Sequence, residues 1–102
     1  MTSKEPKAFR GIDKVIHEPA RLMLMTLLSV VKSGDVTYLM AHSGLTWGNI
    51  SSHLKKLREA GHIDIEKSFV DNKPNTKVFL TDEGRRAFEN YRRTMQDILD
   101  LN

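Results

Sequence analysis

The stretch that decides the fold is Val36 to Ile63, VTYLMAHSGLTWGNISSHLKKLREAGHI. Apolar residues at helical spacing predict a first helix from Val36 to about His42. Gly44 is predicted to end it, because glycine readily adopts the positive φ of a sharp helix stop. Thr46 then has a hydroxyl suited to cap a second helix, from Trp47 to about Ala60. The stretch therefore predicts two helices joined by a tight turn.

The second helix has two different faces. Its apolar face places residues at i, i+4 and i+7, namely Ile50, Leu54 and Leu57. The opposite face is small, polar or basic, and it consists of Gly48, Asn49, Ser52, His53, Lys55 and Lys56. Such groups can approach a phosphate-lined groove and bond to base edges. An ordinary solvated helix face is the competing interpretation, although the only acid on this helix is Glu59, near its end.

A predicted β-hairpin follows directly. Residues 62–69, HIDIEKSF, alternate apolar positions at 63, 65 and, after a slip, 69. Residues 70–75, VDNKPN, are rich in turn formers, and residues 76–80, TKVFL, are typical of a returning strand. A helix–turn–helix followed by a hairpin with a basic, Asn-rich tip is a winged helix. The predicted fold class is therefore mainly α with a small β-hairpin.

At this point the chain resembles the small, single-domain winged helix-turn-helix transcriptional regulators of the MarR/ArsR-like group. GLTWGNISSHLKKLREAGHI is similar to the recognition helix of that group, and VFLTDEGRRAF is similar to its second wing strand and last helix. The resemblance covers roughly residues 12 to 101. It implies a DNA-binding function, and it implies that Asp35 caps the helix that begins at Val36.

Composition is consistent with a nucleic-acid partner. The chain has 102 residues, a formal net charge of +3 and no cysteine. Residues 1–62 carry nine Lys/Arg against five Asp/Glu, whereas residues 63–102 carry seven against eight. The positive excess therefore lies in the half that contains the second helix, which is the proposed DNA-contacting element. Without a membrane-length apolar run, a signal peptide or cysteine, the expected location is the cytoplasm.

The N-terminal part is predicted to support this domain. Residues 1–10 are expected to form a flexible basic arm, and Lys4, Lys7 and Arg10 are only minor candidates for phosphate contacts. An apolar patch, Ile12, Val15 and Ile16, suggests a short helix that packs on a second subunit. Pro19 should begin the central core helix, with Glu18 beside it, and Ser33-Gly34 should end it.

The last predicted helix runs from Thr81, its N-cap, to Leu101. It carries an apolar seam that exceeds what a single winged helix needs: Phe88, Tyr91, Met95, Ile98 and Leu99. We expect a dimerisation helix, with packing on its own domain as the alternative. The expected division is a 1–10 arm, an 11–80 winged helix-turn-helix and an 81–102 dimerisation helix.

The predicted function is sequence-specific binding to double-stranded DNA, as a homodimeric regulator, expected to be a repressor, on a pseudo-palindromic operator. Asn49 is the candidate for reading adenine, and Ser52, His53 and Lys56 are candidates for base or phosphate contacts. Thr46 and Lys55 should position the helix. Gly48 should allow close approach to DNA, with a strained helix start as an equal alternative. Trp47 is expected to pack rather than stack on a base. Wing contacts are assigned to Asn72, Lys73 and Lys77.

Other functions have weaker support in the sequence. No phosphate loop or catalytic constellation suggests an enzyme, and the four scattered histidines suggest no metal site. No cofactor and no membrane partner are expected, and nothing specifies a small-molecule effector, although a cleft beside the last helix could hold one. The main alternative is a winged helix that serves protein–protein assembly. The acid-poor face of the second helix counts against that alternative.

Overall fold

The computed structural model describes residues 10–101 and confirms the predicted winged helix. The elements are α1 (Pro19–Ser29), β1 (Gly34–Asp35), α2 (Val36–Ser43), α3 (Trp47–Glu59), β2 (Ile63–Val70), β3 (Lys73–Leu80) and α4 (Asp82–Leu99). Helices α2 and α3 form the predicted helix–turn–helix, and β2 and β3 form the wing. The expected N-terminal arm lies outside the described residues, apart from Arg10.

Local side-chain caps explain where three of the helices begin. The carboxylate of Asp35 accepts the Tyr38 N–H at 2.8 Å at the start of α2. The hydroxyl of Thr46 accepts the Asn49 N–H at 3.2 Å, and that of Thr81 accepts the Gly84 N–H at 2.9 Å. Each bond satisfies a backbone donor that has no partner within its helix. The predicted caps at these three residues are therefore confirmed.

The turn between the helices also has the predicted geometry. Gly44 has φ of 72°, and its backbone N–H donates to the Met40 carbonyl at 3.2 Å. A side chain at this position would be strained whatever space surrounds it. The glycine therefore ends α2 abruptly, and α3 begins three residues later.

The wing is longer, and its turn is tighter, than the sequence predicted. The hairpin turn contains only Asp71 and Asn72, with φ of 51° and 64°, and Val70 pairs with Lys73. Two successive positive φ angles are typical of a type I′ turn, whose twist matches that of the strands. The turn therefore lies within the predicted 70–75 segment but occupies only two of its residues, and Lys73, Pro74 and Asn75 belong to β3. Pro74 lies within β3, where a missing N–H is tolerated at an open edge.

A third short strand completes the sheet, whose order is β1-β3-β2. Strand β1 pairs with β3 only through Gly34↔Val78 and Asp35↔Lys77, so among the described residues no strand borders the outer part of β3 on that side. This strand was not predicted.

Helix α1 ends at Ser29 rather than at the predicted Ser33-Gly34. Beyond its end, Arg85 of α4 lies 3.4 Å from the Ser29 carbonyl and 3.2 Å from that of Val31.

The core lies between α1, α3 and the sheet, and α4 closes one side. Its members are Ile12, Ile16, Leu24, Met25, Leu28, Leu39, Ile50, Leu54, Leu57, Ile63, Val78, Leu80 and Tyr91. Burying each aliphatic side chain of α3 contributes about 1.5–3 kcal/mol. This anchoring holds the apolar face of α3 inward and leaves its opposite face in solvent.

The segment before α1 is part of this core. Residues 11–18 form turns rather than a helix. The Asp13 carboxylate accepts the Val15 and Ile16 N–H groups at 2.9 and 3.2 Å. Ile16 is fully buried and Ile12 nearly so. The expectation of a short helix that packs on a second subunit was therefore wrong, because these side chains fill the core of their own chain.

Candidate nucleic-acid interface

The outer face of α3 is exposed over its whole length. Six of the seven residues predicted for this surface are solvent-exposed: Thr46, Gly48, Asn49, Ser52, Lys55 and Lys56. No acidic residue occurs between Asp35 and Glu59 in the sequence. The face therefore combines hydrogen-bonding groups with uncompensated positive charge, as a surface that enters a DNA groove requires.

His53 is the exception among the predicted contacts. It lies on the side of α3 that faces α1, where its Nδ1 is 3.3 Å from Arg21 Nη1 and 3.6 Å from the Glu18 carboxylate. Its side chain is half-buried. The ring thus belongs to a polar contact between α3 and the start of α1, and it does not lie on the outermost face of α3.

Glu18 is the centre of that contact. Its carboxylate accepts the Arg21 backbone N–H at 2.9 Å, and this bond is the main cause of a lowered Glu18 pKa. Partial burial opposes the shift, while the Ala20 N–H and the charges of His53 and Arg21 favour it. Glu18 is therefore held as a carboxylate at the positive end of α1, where it also faces α3.

The wing presents its predicted residues unevenly. Asn72 and Lys73 are exposed at the tip, and Lys77 is exposed nearer the body of the domain. Lys77 lies directly opposite Glu66 in β2 and Asp35 in β1. Residues paired in this way have side chains on the same face of the sheet, so two carboxylates reduce the positive potential around Lys77. Asn72 and Lys73 are better placed for a contact with DNA.

Apolar groups also lie near the tip of the wing. Phe69 is 76% exposed, and Val70 is exposed beside it. The alternating pattern groups position 69 with positions 63 and 65, but the core buries Ile63, half-buries Ile65 and does not reach Phe69. The hairpin extends past the core formed by residues 10–101, so the periodicity of its apolar residues continues beyond the part of the wing that this core covers.

A cleft between α3 and the wing was not predicted. We call it the helix–wing cleft; it has a volume of about 270 Å³ and is lined by Trp47, Ser51, Leu54, Lys55, Arg58, Ile65, Lys67 and Thr76. Trp47 is 46% exposed there, so only part of its ring packs as expected. The side of the cleft that α3 forms could have been predicted, because positions 47, 51, 55 and 58 follow helical spacing beside the apolar face.

The apolar seam of α4 is divided between the core and the surface. Tyr91 is only 6% exposed, and its hydroxyl lies 2.9 Å from His17 Nδ1 of the same chain. Burial raises the pKa of the Tyr91 hydroxyl. Phe88, Met95 and Ile98 are half-buried against the core, whereas Leu99 is 69% exposed. Of the residues assigned to a dimer interface, Tyr91 therefore fills its own core and Leu99 is the most available.

Within residues 10–101, no group of three or more His, Asp or Glu side chains is arranged to hold a metal ion. No helix in the same part of the chain is long and apolar enough to cross a membrane. The surfaces that remain are the outer face of α3, the wing, the helix–wing cleft and the end of α4.

Comparisons with known proteins agree with this geometry. An uncharacterised protein of Methanocaldococcus jannaschii is 34% identical over 89 residues, which span 87% of this chain and 94% of the relative. The structure of a transcriptional regulator homologue from Pyrococcus horikoshii has a TM-score of 0.82 at 23% identity, covering 92% of this chain and 91% of its own.

More distant structures share the fold. A putative MarR-like transcription regulator from Bacillus cereus has a TM-score of 0.69 at 19% identity, covering 90% of this chain and 68% of its own. An ArsR-family regulator shares the fold as well. The sequence profile of the winged helix DNA-binding domain matches residues 20–99. The chain therefore belongs to the winged helix DNA-binding domain family.

Proposed function

We propose that the protein is a transcriptional regulator that binds specific double-stranded DNA sequences as a homodimer. The observation that carries this proposal is the outer face of α3. It is exposed, it has no acid before Glu59, and it presents an amide, hydroxyls and ammonium groups. Family membership and the neighbouring wing support the same function.

In this proposal α3 enters the major groove. Asn49 is exposed in the first turn of α3, where the side chains of a recognition helix commonly meet base edges. Its amide can bond adenine N6 and N7 together. Ser52 and Lys56 follow on the same face and contact bases or phosphates, whereas Thr46 and Lys55 position the helix. A Cβ added to Gly48 would meet no neighbouring atom within 4 Å, so the surface there is open to a close approach.

The wing and α4 complete the arrangement. Asn72 and Lys73 contact the backbone or the minor groove beside the site of α3. The end of α4, where Leu99 and the following Leu101 are exposed, pairs with the same surface of a second copy. Two recognition helices then read half-sites whose centres lie about 34–36 Å apart. Repression is the simplest mode for these elements, because occupying an operator requires only DNA binding.

A charge-matched pair of variants tests whether the outer face of α3 binds DNA. Labelled duplex DNA would be titrated with the wild type, with Lys56→Glu on α3 and with Arg93→Glu on the exposed side of α4. We expect the wild type and Arg93→Glu to bind alike at low salt and to weaken as salt rises. Lys56→Glu should bind about tenfold more weakly or worse, because a phosphate contact is replaced by repulsion.

The opposite outcomes are equally clear. Absence of wild-type binding at low salt would contradict the proposal and favour an assembly module. Equal losses for Lys56→Glu and Arg93→Glu would show that overall charge, rather than the face of α3, governs binding.

A further inference from the structure

The helix–wing cleft gathers positive charge from two separate elements. Lys55 and Arg58 line it from α3, and Lys67 lines it from β2. Further hydrogen-bond donors come from Ser51 and from Thr76, which pairs with Lys67 across the hairpin. The remaining lining is apolar, and Trp47 provides most of the exposed part. Three cations with an aromatic ring and two hydroxyls suit an anion attached to a less polar group.

A carboxylate of β2 lies near this cluster. The Arg58 Nε is 3.6 Å from the Asp64 carboxylate, and both side chains are more than half exposed. An exposed ion pair of this kind contributes little to stability, and water competes for both partners. A phosphate that accepts two bonds from the same guanidinium is a stronger partner for Arg58. Asp64 therefore leaves the cleft with a positive excess and does not close it.

The position of the cleft indicates which anion it would bind. A sugar–phosphate strand separates the major groove of DNA from the adjacent minor groove. If α3 occupies the major groove and the wing reaches the minor groove, that strand must pass between α3 and the wing. The helix–wing cleft is the space between those two elements, so the strand would cross it.

We propose that the helix–wing cleft binds one phosphate of the DNA backbone, with Arg58 and Lys67 bonding its oxygens and Trp47 packing against the adjoining sugar. This inference rests on the proposed DNA-binding function and assigns a role to residues outside the outer face of α3. The contact carries no sequence information. It fixes the angle between the wing and the DNA, and so the register in which Asn49 meets the bases.

The single tryptophan of the chain provides a direct test. Binding of labelled duplex DNA would be measured by anisotropy, and access to Trp47 by acrylamide quenching of its fluorescence. Wild-type protein should lose most of its acrylamide quenching when DNA is bound. The double variant Arg58→Gln/Lys67→Gln should still bind at low salt, with a salt-dependence slope lower by about 0.9, as for one phosphate. Its Trp47 should stay more accessible in the complex.

The matched control is Arg86→Gln/Arg93→Gln, which removes two exposed cations from α4 and should behave as the wild type. If the wild type binds DNA but Trp47 remains open to acrylamide and the Arg58/Lys67 variant keeps the wild-type slope, the cleft does not hold a phosphate. If the wild type binds no DNA at all, the proposed function itself fails.

Discussion

At the scale of single residues, two glycines have opposite roles. A Cβ on Gly84 would lie 1.8 Å from the carbonyl oxygen of His62, which also accepts the Thr81 N–H at 3.1 Å. Only a glycine therefore lets the first turn of α4 lie against the junction of α3 and β2. In the part of the chain that the structure describes, Gly48 has nothing within 4 Å of a Cβ position, so it makes no close packing contact there.

This contrast predicts opposite effects on stability. Gly84→Ala should destabilise the protein by about 3 kcal/mol, because the backbone must shift to relieve the overlap. Gly48→Ala should stabilise it by up to about 1 kcal/mol, since alanine favours the helix and meets no neighbour. Urea unfolding of the two variants measures both values. Similar stabilities would contradict the close approach of α4 to His62.

Asn49 carries the residue-scale prediction for specificity. Asn49→Ala should cost about 1–3 kcal/mol on the preferred sequence and relax the preference at one base position. Asn90→Ala, an exposed amide on α4, should change neither affinity nor preference. Binding of both variants to a panel of single-base operator variants provides the measurement. An unchanged preference in Asn49→Ala would remove Asn49 from the set of base-reading residues.

Residue roles set by near neighbours were predictable, and those set by distant ones were not. The caps at Thr46 and Thr81 involve partners three residues away, so their sequence signals are local. His53 faces Arg21, 32 positions earlier, and Arg85 bonds a carbonyl 56 positions earlier. Such contacts depend on how helices pack. For the same reason, no local pattern indicates that Gly84 admits the His62 carbonyl.

At the scale of elements, α4 is where function and stability overlap. Tyr91, near its middle, packs in the core, while Leu99 at its end and Leu101 just beyond it remain exposed. Exposed leucines at the end of an amphipathic helix are consistent with pairing to a second copy. Met95 and Ile98 serve the core as well, so changing them would confound dimerisation with folding.

Leu99→Asp therefore tests the dimer better than a change at Met95. The variant should become monomeric and stay folded, because a buried aspartate is costly in an interface but not in solvent. Asn90→Asp adds the same charge on another face of α4 and should remain dimeric. Sedimentation velocity measures both, and circular dichroism verifies folding. A dimeric Leu99→Asp protein would contradict the proposed pairing surface.

The bounds of the helices and strands were predicted with different accuracy. Helix α3 was expected to end at about Ala60 and ends at Glu59. Its end was predictable because its apolar face spans several turns. Strand β1 has two residues and no periodicity, so no sequence signal marks it. The wing was predicted too short because Lys73, Pro74 and Asn75 are common in turns. They are tolerated in β3 because β1 pairs only with Val78 and Lys77.

At the scale of the whole molecule, one surface combines the outer face of α3 with the wing. Helical periodicity predicted the first part, since it separates buried from exposed positions within one helix. The helix–wing cleft was not predictable, because it depends on the register of the hairpin and on its placement against α3. The polar contact of His53 with Glu18 and Arg21 links the same helix to α1 on its other side.

In the proposed function, two copies of this surface read DNA together. The most direct measurement is selection of duplexes from a randomised pool with the purified protein at two salt concentrations, followed by sequencing. We expect a two-fold symmetric motif with half-sites about one helical turn apart, retained at the higher salt. Recovery of no motif, with only weak salt-sensitive binding, would contradict it.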